Sequence, residues 1–130
     1  MTKQKLSNRS VEALIERYVD CGLTQSAART MLDVNRANRM YDEMKLIADE
    51  LTSRGKAAQE ALVPLMDHPN DAVRGAAAWD CHSIAPTKAR HVLEEISQTG
   101  EIVDKYVADA RLSELGYPSR RFRTKRAPTQ

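Results

Sequence analysis

Residues 62–84 read LVPLMDHPNDAVRGAAAWDCHSI, and this stretch decides the fold. Leu62, Leu65 and Met66 recur at helical spacing, then Asp67-His68-Pro69-Asn70-Asp71 makes a tight polar turn. Val73, Ala77, Cys81 and Ile84 fall on one face of a second helix. The small side chains of Ala76, Ala77 and Ala78 allow another helix to pack close. The unit is an αα-hairpin with one apolar side.

The same periodicity runs outward in both directions. Towards the N-terminus, residues 1–9 are polar and are expected to fray. Ser10 is placed to cap a helix with Val11, Leu14, Ile15, Tyr18 and Val19 on one stripe, and Gly22 reads as its stop. Thr24 then starts a short helix through Ala27, Ala28, Met31 and Leu32. Asp33 caps the longest helix, to about Arg54, with Val34, Ala37, Tyr41, Met44, Ala48 and Leu51 inward. Gly55 ends it. A helix over 57–67 carries Pro64 and should bend near Glu60.

Beyond the central turn, Ala85-Pro86 ends the helix over 71–85. A helix over 87–98 presents Ala89, Val92, Leu93 and Ile96. A last one over 101–115 presents Ile102, Val103, Tyr106, Val107, Ala110 and Leu115, and Gly116 and Pro118 stop it. Val73 and Ala78 align with Val103 and Ala108, and Leu62 with Val92, at an offset of 30 residues. Such units must stack to keep their apolar faces dry. The expected fold is all-α: six or seven helices stacked as antiparallel hairpins in a short right-handed, HEAT/ARM-like α-solenoid.

Bulk composition agrees. The chain has 130 residues, 42% hydrophobic and 29% charged, as expected for one soluble globular domain. Aromatics at 5% leave Leu, Ile, Val, Met and Ala to build the core. Five glycines and five prolines are too few for a many-turned β fold. No apolar run approaches the roughly 18 residues of a membrane span, and MTKQKLSNRS leads into no secretory h-region. Cys21 and Cys81 are then expected as reduced thiols in a cytoplasmic protein. Of the 20 basic residues, five lie in 117–130, which has no acid; the rest of the chain holds 15 against 18 acids. Residues 1–116 thus read as one mildly acidic helical domain and 117–130 as a basic, flexible tail.

Residues 62–84 resemble a HEAT repeat: Pro69, Asp67, Asp71, Val73-Arg74, Ala77-Ala78 and Ile84 fit that pattern. Asp80 and Cys81 depart from it, standing where alanine and leucine are usual. In the second unit Asp104 replaces the arginine and Val107 an alanine. A wider resemblance covers about residues 11–98. It rests on Gln25, Asn38-Arg39-Met40-Tyr41, Glu50-Leu51, Arg54-Gly55, Leu62, Leu65, His68, Val73-Arg74, Ala77-Ala78, Pro86, Ala89 and Leu93-Glu94. These look like a small bacterial HEAT-like family classed as a domain of unknown function, number two-thousand-nineteen in its series. The resemblance implies a fold and no activity. It also implies that Arg74 pairs with Asp67 or Asp71.

Four groups of residues carry chemistry. Asp80 falls inside the apolar arc, so its carboxylate needs a partner, with Arg39, Asn38 and His82 as candidates. It is either a satisfied core group or a site at a helix junction. Trp79, the one tryptophan, points away from that arc and is either an interface anchor or a contact to the next hairpin. Cys81 and His82 diverge by about 100° on a helix and share no ion easily. With no CxxC or HExxH, no metal or other cofactor is expected. Five cations surround an aromatic ring in the tail, at Arg120, Arg121, Phe122, Arg123, Lys125 and Arg126. Cations can hold phosphates while a ring stacks on a base.

The first expectation is a non-catalytic protein-interaction module, an adaptor or immunity-like inhibitor by analogy of fold. Its partner-binding residues would be Arg39, Arg74, Trp79 and His82. A second copy is a further candidate partner, covering apolar surface left at the ends of a short stack. The alternative is a nucleic-acid-binding protein acting through residues 120–126. An enzyme with a site around Asp80 ranks third.

Overall fold

The Oγ of Ser10 accepts the amide N–H of Ala13 at 3.1 Å and starts a helix that does not stop at Gly22. In the computed structural model, which describes residues 3–118, this helix runs unbroken to Thr30. The chain forms α1 (Lys3–Ser7), α2 (Val11–Thr30), α3 (Val34–Ser53), α4 (Lys56–Glu60), α5 (Asp71–Cys81), α6 (Pro86–Thr99) and α7 (Ile102–Glu114). Among the described residues there is no strand. Of these helices none is long and apolar enough to cross a membrane. The fold is all-α, with successive helices stacked on one another.

Gly22 continues the helix because its missing side chain serves a helix crossing. A Cβ there would lie 2.6 Å from Val73 Cγ2 and 3.3 Å from Met44 Cε. α2 therefore meets α3 on one side and α5 on another at close range. Residues 3–9 also differ from expectation. Leu6 is fully buried, and Arg54 donates to the carbonyls of Leu6 (2.9 Å) and Ser7 (3.3 Å), tying α1 to the end of α3.

Pro64 breaks the fourth helix rather than bending it. Proline lacks the N–H and crowds the carbonyl four residues back, here that of Glu60, where α4 ends. The chain re-enters as a 3₁₀ segment, Val63–Asp67. The following turn is closed by the Asn70 N–H donating to His68 Nδ1 at 3.0 Å. Asn70 Oδ1 then caps α5 by accepting the Val73 N–H at 3.1 Å.

α5 is the centre of the molecule. It packs against α2, the 3₁₀ segment, α6 and α7. Its buried Gly75-Ala76-Ala77-Ala78 run allows neighbours on most of its circumference. The core continues through Leu14, Ile47, Leu51, Leu62, Leu93, Ile96 and Leu112, all essentially inaccessible.

The outer helices bury less than their apolar residues suggest. Val34 and Tyr41 on α3 and Ile102, Val103 and Tyr106 on α7, all expected inward, are exposed. α3 has α2 as its main neighbour, with α1 and α4 beside it, and buries a narrow face: Ala37, Met44, Ile47, Ala48 and Leu51. α7 likewise rests on α6 and α5 and buries Ala108, Asp109 and Leu112. The Ser97 hydroxyl of α6 donates to Asp109 in that contact.

Candidate functional site

Two features stand out from this frame: a polar seam around α5 and an exposed apolar end.

In the seam, Tyr18 donates its hydroxyl to Asp80 Oδ2 at 2.6 Å. This corrects the expected partners of Asp80, which were Arg39, Asn38 and His82. A fully buried tyrosine on α2 needs an acceptor, and the acid on α5 supplies it. Burial pushes the Asp80 carboxyl up to about 6, against the opposing pull of the Tyr18 hydrogen bond and of Arg111. Burial and the neighbouring Asp80 raise the Tyr18 phenol well above its ordinary value. Arg29 of α2 reaches Asp104 of α7 at 3.1 Å, bridging the two helices that flank α5. Burial lowers the Arg29 pKa and raises that of Asp104, so the pair is held partly away from water.

Arg74 is committed twice. Its Nε lies 2.7 Å from Asp71 Oδ1 and its Nη1 2.5 Å from Glu95 Oε1, which clamps α5 to α6. Asp67 instead pairs with Lys88 at 2.8 Å. His82 Nε2 is 2.7 Å from the Tyr117 hydroxyl, with the rings edge to face. Arg90 stacks 4.4 Å over the same tyrosine ring. Trp79 is half-buried three residues before His82 on α5. Arg74 and Trp79 thus lie on α5 and His82 at its end, whereas Arg39 is exposed on α3. Both cysteines are buried, and burial pushes each thiol up to about 12, so neither is a thiolate near neutrality. Among the described residues no three His, Cys, Asp or Glu side chains converge as a metal-binding group. Arg120, Arg121, Phe122, Arg123, Lys125 and Arg126 lie outside the described residues.

The apolar end is where α2 finishes and α5 and α7 begin. α2 closes with the Asp33 N–H on the Ala28 carbonyl (2.8 Å) and the Leu32 N–H on that of Arg29 (3.1 Å). This double bond pattern places the residue after the cap in the left-handed region, where glycine is usual. α7 ends the same way: Tyr117 N–H bonds Leu112 O at 2.8 Å, Gly116 N–H bonds Ser113 O at 3.0 Å, and Gly116 has φ +88°. At the matching place in α2 stands Leu32, φ +60° and 84% exposed. A leucine there pays strain and wets an apolar side chain together. Met31 (77%) and Val34 (65%) flank it.

Two hollows open near the end of α2. One, of about 530 Å³, lies between the last turns of α2 (Ser26, Arg29), the Pro69-Asn70-Asp71 turn and the start of α7 at Glu101, Ile102 and Val103. The other, of about 510 Å³, is walled by Leu23, Ala27, Ala28, Met31 and Arg36. Sequence reasoning missed the end because each residue fitted an inward stripe. The detectable signal was Leu32 itself, a leucine between a helix end and the capping Asp33.

Comparison with known proteins places this geometry in a family. No functionally curated protein matches the chain. The crystal structure of the protein RPA1889 from Rhodopseudomonas palustris CGA009 is similar, with a TM-score of 0.79 and 31% sequence identity. The match covers 85% of this chain and 92% of that one. The family model described as "Domain of unknown function (DUF2019)" matches residues 12–116, and the chain belongs to that family.

Proposed function

We propose that this chain is a non-catalytic, HEAT-like protein-interaction module that docks through the end bearing Met31, Leu32 and Val34. The supporting observation is Leu32, which holds a glycine conformation while projecting an apolar side chain into solvent. Strain of this kind persists where it serves a function. Isolated exposed leucines are ordinary, but this one lies between the exposed Met31 and Val34, and clustered apolar surface marks interaction sites. Of the four residues expected to bind a partner, Arg39 lies on α3 beyond Arg36, next to this end. Arg74 holds two helices together, and His82 is engaged by the Tyr117 hydroxyl.

Leu32→Gly is the discriminating variant. Relief of the left-handed strain should raise unfolding stability by about 0.5–1 kcal/mol, read as a higher urea midpoint. The same change should abolish cross-linked capture of the partner protein from the native cell extract. Capture that is unchanged by Leu32→Gly rejects the reading. The nucleic-acid alternative rests on the composition of residues 120–126. It requires binding that weakens steeply with salt and is lost on truncation after Gly116.

A further inference from the structure

We infer that the occupant of this end is a second copy of the chain, joined through a twofold axis. The inference rests on the interaction reading above and names its partner.

The end carries both halves of a contact. The Met31-Leu32-Val34 turn projects, and past Thr30 opens a cleft whose walls are apolar at Pro69, Ile102 and Val103 and polar at Asn70, Asp71 and Glu101. A patch that bears a knob and a hollow side by side is self-complementary. A twofold rotation seats each knob in the other copy's cleft, so one contact type fills both. The apolar pattern agrees. Val34, Ile102 and Val103 sit on stripes that recur at core spacing, yet among the described residues they stay largely exposed.

Charge points the same way. The knob side carries Arg36 and Arg39, both exposed on the first turns of α3. The cleft side carries the exposed Glu101, with Asp71 and Asp104 already engaged by Arg74 and Arg29. The rotation that inserts the knob therefore brings two cations of one copy towards an acid of the other. Complementary charge of this kind fixes orientation and discourages wrong partners.

The test is sedimentation equilibrium of the full chain from about micromolar to about millimolar concentration. The wild type should reach twice the chain mass. Leu32→Gly should raise the dissociation constant about tenfold or more, since an anchor seated in a pocket carries much of the binding. Val103→Glu should do the same from the cleft side. Arg36→Glu with Arg39→Glu should weaken the dimer, and adding Glu101→Arg to that variant should recover it.

A wild type that is monomeric throughout overturns the inference. So does a dimer that survives both Leu32→Gly and Val103→Glu, or one lost on truncation after Gly116 but not with Leu32→Gly. The interaction reading is separable: a monomeric wild type whose capture of another protein is lost with Leu32→Gly sinks the second copy and keeps the docking end.

Discussion

Replacing Gly22 by alanine should destabilise the protein, although the same change inside an ordinary helix is favourable. Alanine gains about 1 kcal/mol over glycine in a helix interior. Here the added methyl would fall 2.6 Å from Val73 Cγ2, 3.4 Å from Val73 Cα and 3.3 Å from Met44 Cε. Val73 is fully buried, and a β-branched side chain in a helix has one strongly preferred rotamer. It cannot swing aside freely, so α2 and α5 must move apart. Overpacking of this kind costs about 1–3 kcal/mol, enough to reverse the propensity gain. The net expectation is a loss of up to about 2 kcal/mol for Gly22→Ala and a larger one, about 3 kcal/mol, for Gly22→Leu. Urea unfolding midpoints read both. Val73→Ala removes the clashing methyl, so Gly22→Ala combined with Val73→Ala should fall well short of additivity. A raised midpoint for Gly22→Ala alone would show that the two helices do not meet as closely as the geometry requires.

Gly22 also shows why the sequence misled. A glycine after an apolar stripe has the same local signature whether it ends a helix or lets a second helix approach. The difference lies in Val73, far along the chain, and no window around residue 22 contains it. Ser10 and Asp33 were legible as caps because capping is local: each side chain bonds an amide three residues on. Pro64 was legible as a disturbance for the same reason, though its outcome is a break into a 3₁₀ segment with Met66 buried and not a bend. All-α architecture and the central turn followed from periodicity alone.

Stripe width was harder. Periodicity says that Val34, Tyr41, Ile102, Val103 and Tyr106 lie on an apolar side of their helices, not how many neighbours cover that side. α3 and α7 lie towards the outside of the stack, so part of each stripe is left in water. The misassigned residues Val34, Ile102 and Val103 are among those on which the proposed docking surface rests. An apolar stripe wider than its own fold buries leaves surface of the kind that interaction sites use. Asp80 illustrates the converse. Its need for a partner was legible, but Tyr18 had been counted among the hydrophobes. A phenol on a fully buried stripe and a carboxylate on another each lack what the other has, and pairing the two deficits would have found the contact 62 residues apart.

That contact leads to the second large effect, a pH dependence carried by one carboxyl. The Asp80 carboxyl is pushed from 3.8 to about 6, chiefly by burial. Native protein therefore holds this proton more tightly than unfolded chain does, and stability attributable to Asp80 rises as pH falls through 6 and is complete below about 4. The interval between those two values corresponds to about 3 kcal/mol. Asp80→Asn keeps an oxygen for the Tyr18 hydroxyl and removes the charge. The variant should be more stable than wild type at pH 7 by up to about 3 kcal/mol, and the two should converge near pH 4. Glu43 and Glu95, held below the usual carboxylate range by hydrogen bonds from Arg17 and Arg74, act in the opposite direction, losing stability in acid. They are common to both proteins and cancel in the difference, which is why the variant and not the wild-type curve alone is the measurement. Tyr18→Phe provides the complement. Losing the donated hydrogen bond leaves the half-buried carboxylate less compensated, at a cost of about 1–3 kcal/mol at pH 7. It should also extend the pH dependence to higher pH, because that bond is among the influences holding the Asp80 pKa down. A wild-type minus Asp80→Asn difference that is flat between pH 4 and 7 would mean that Asp80 meets water freely, and the Tyr18–Asp80 pair would then be a surface contact and not part of what fixes α2 against α5.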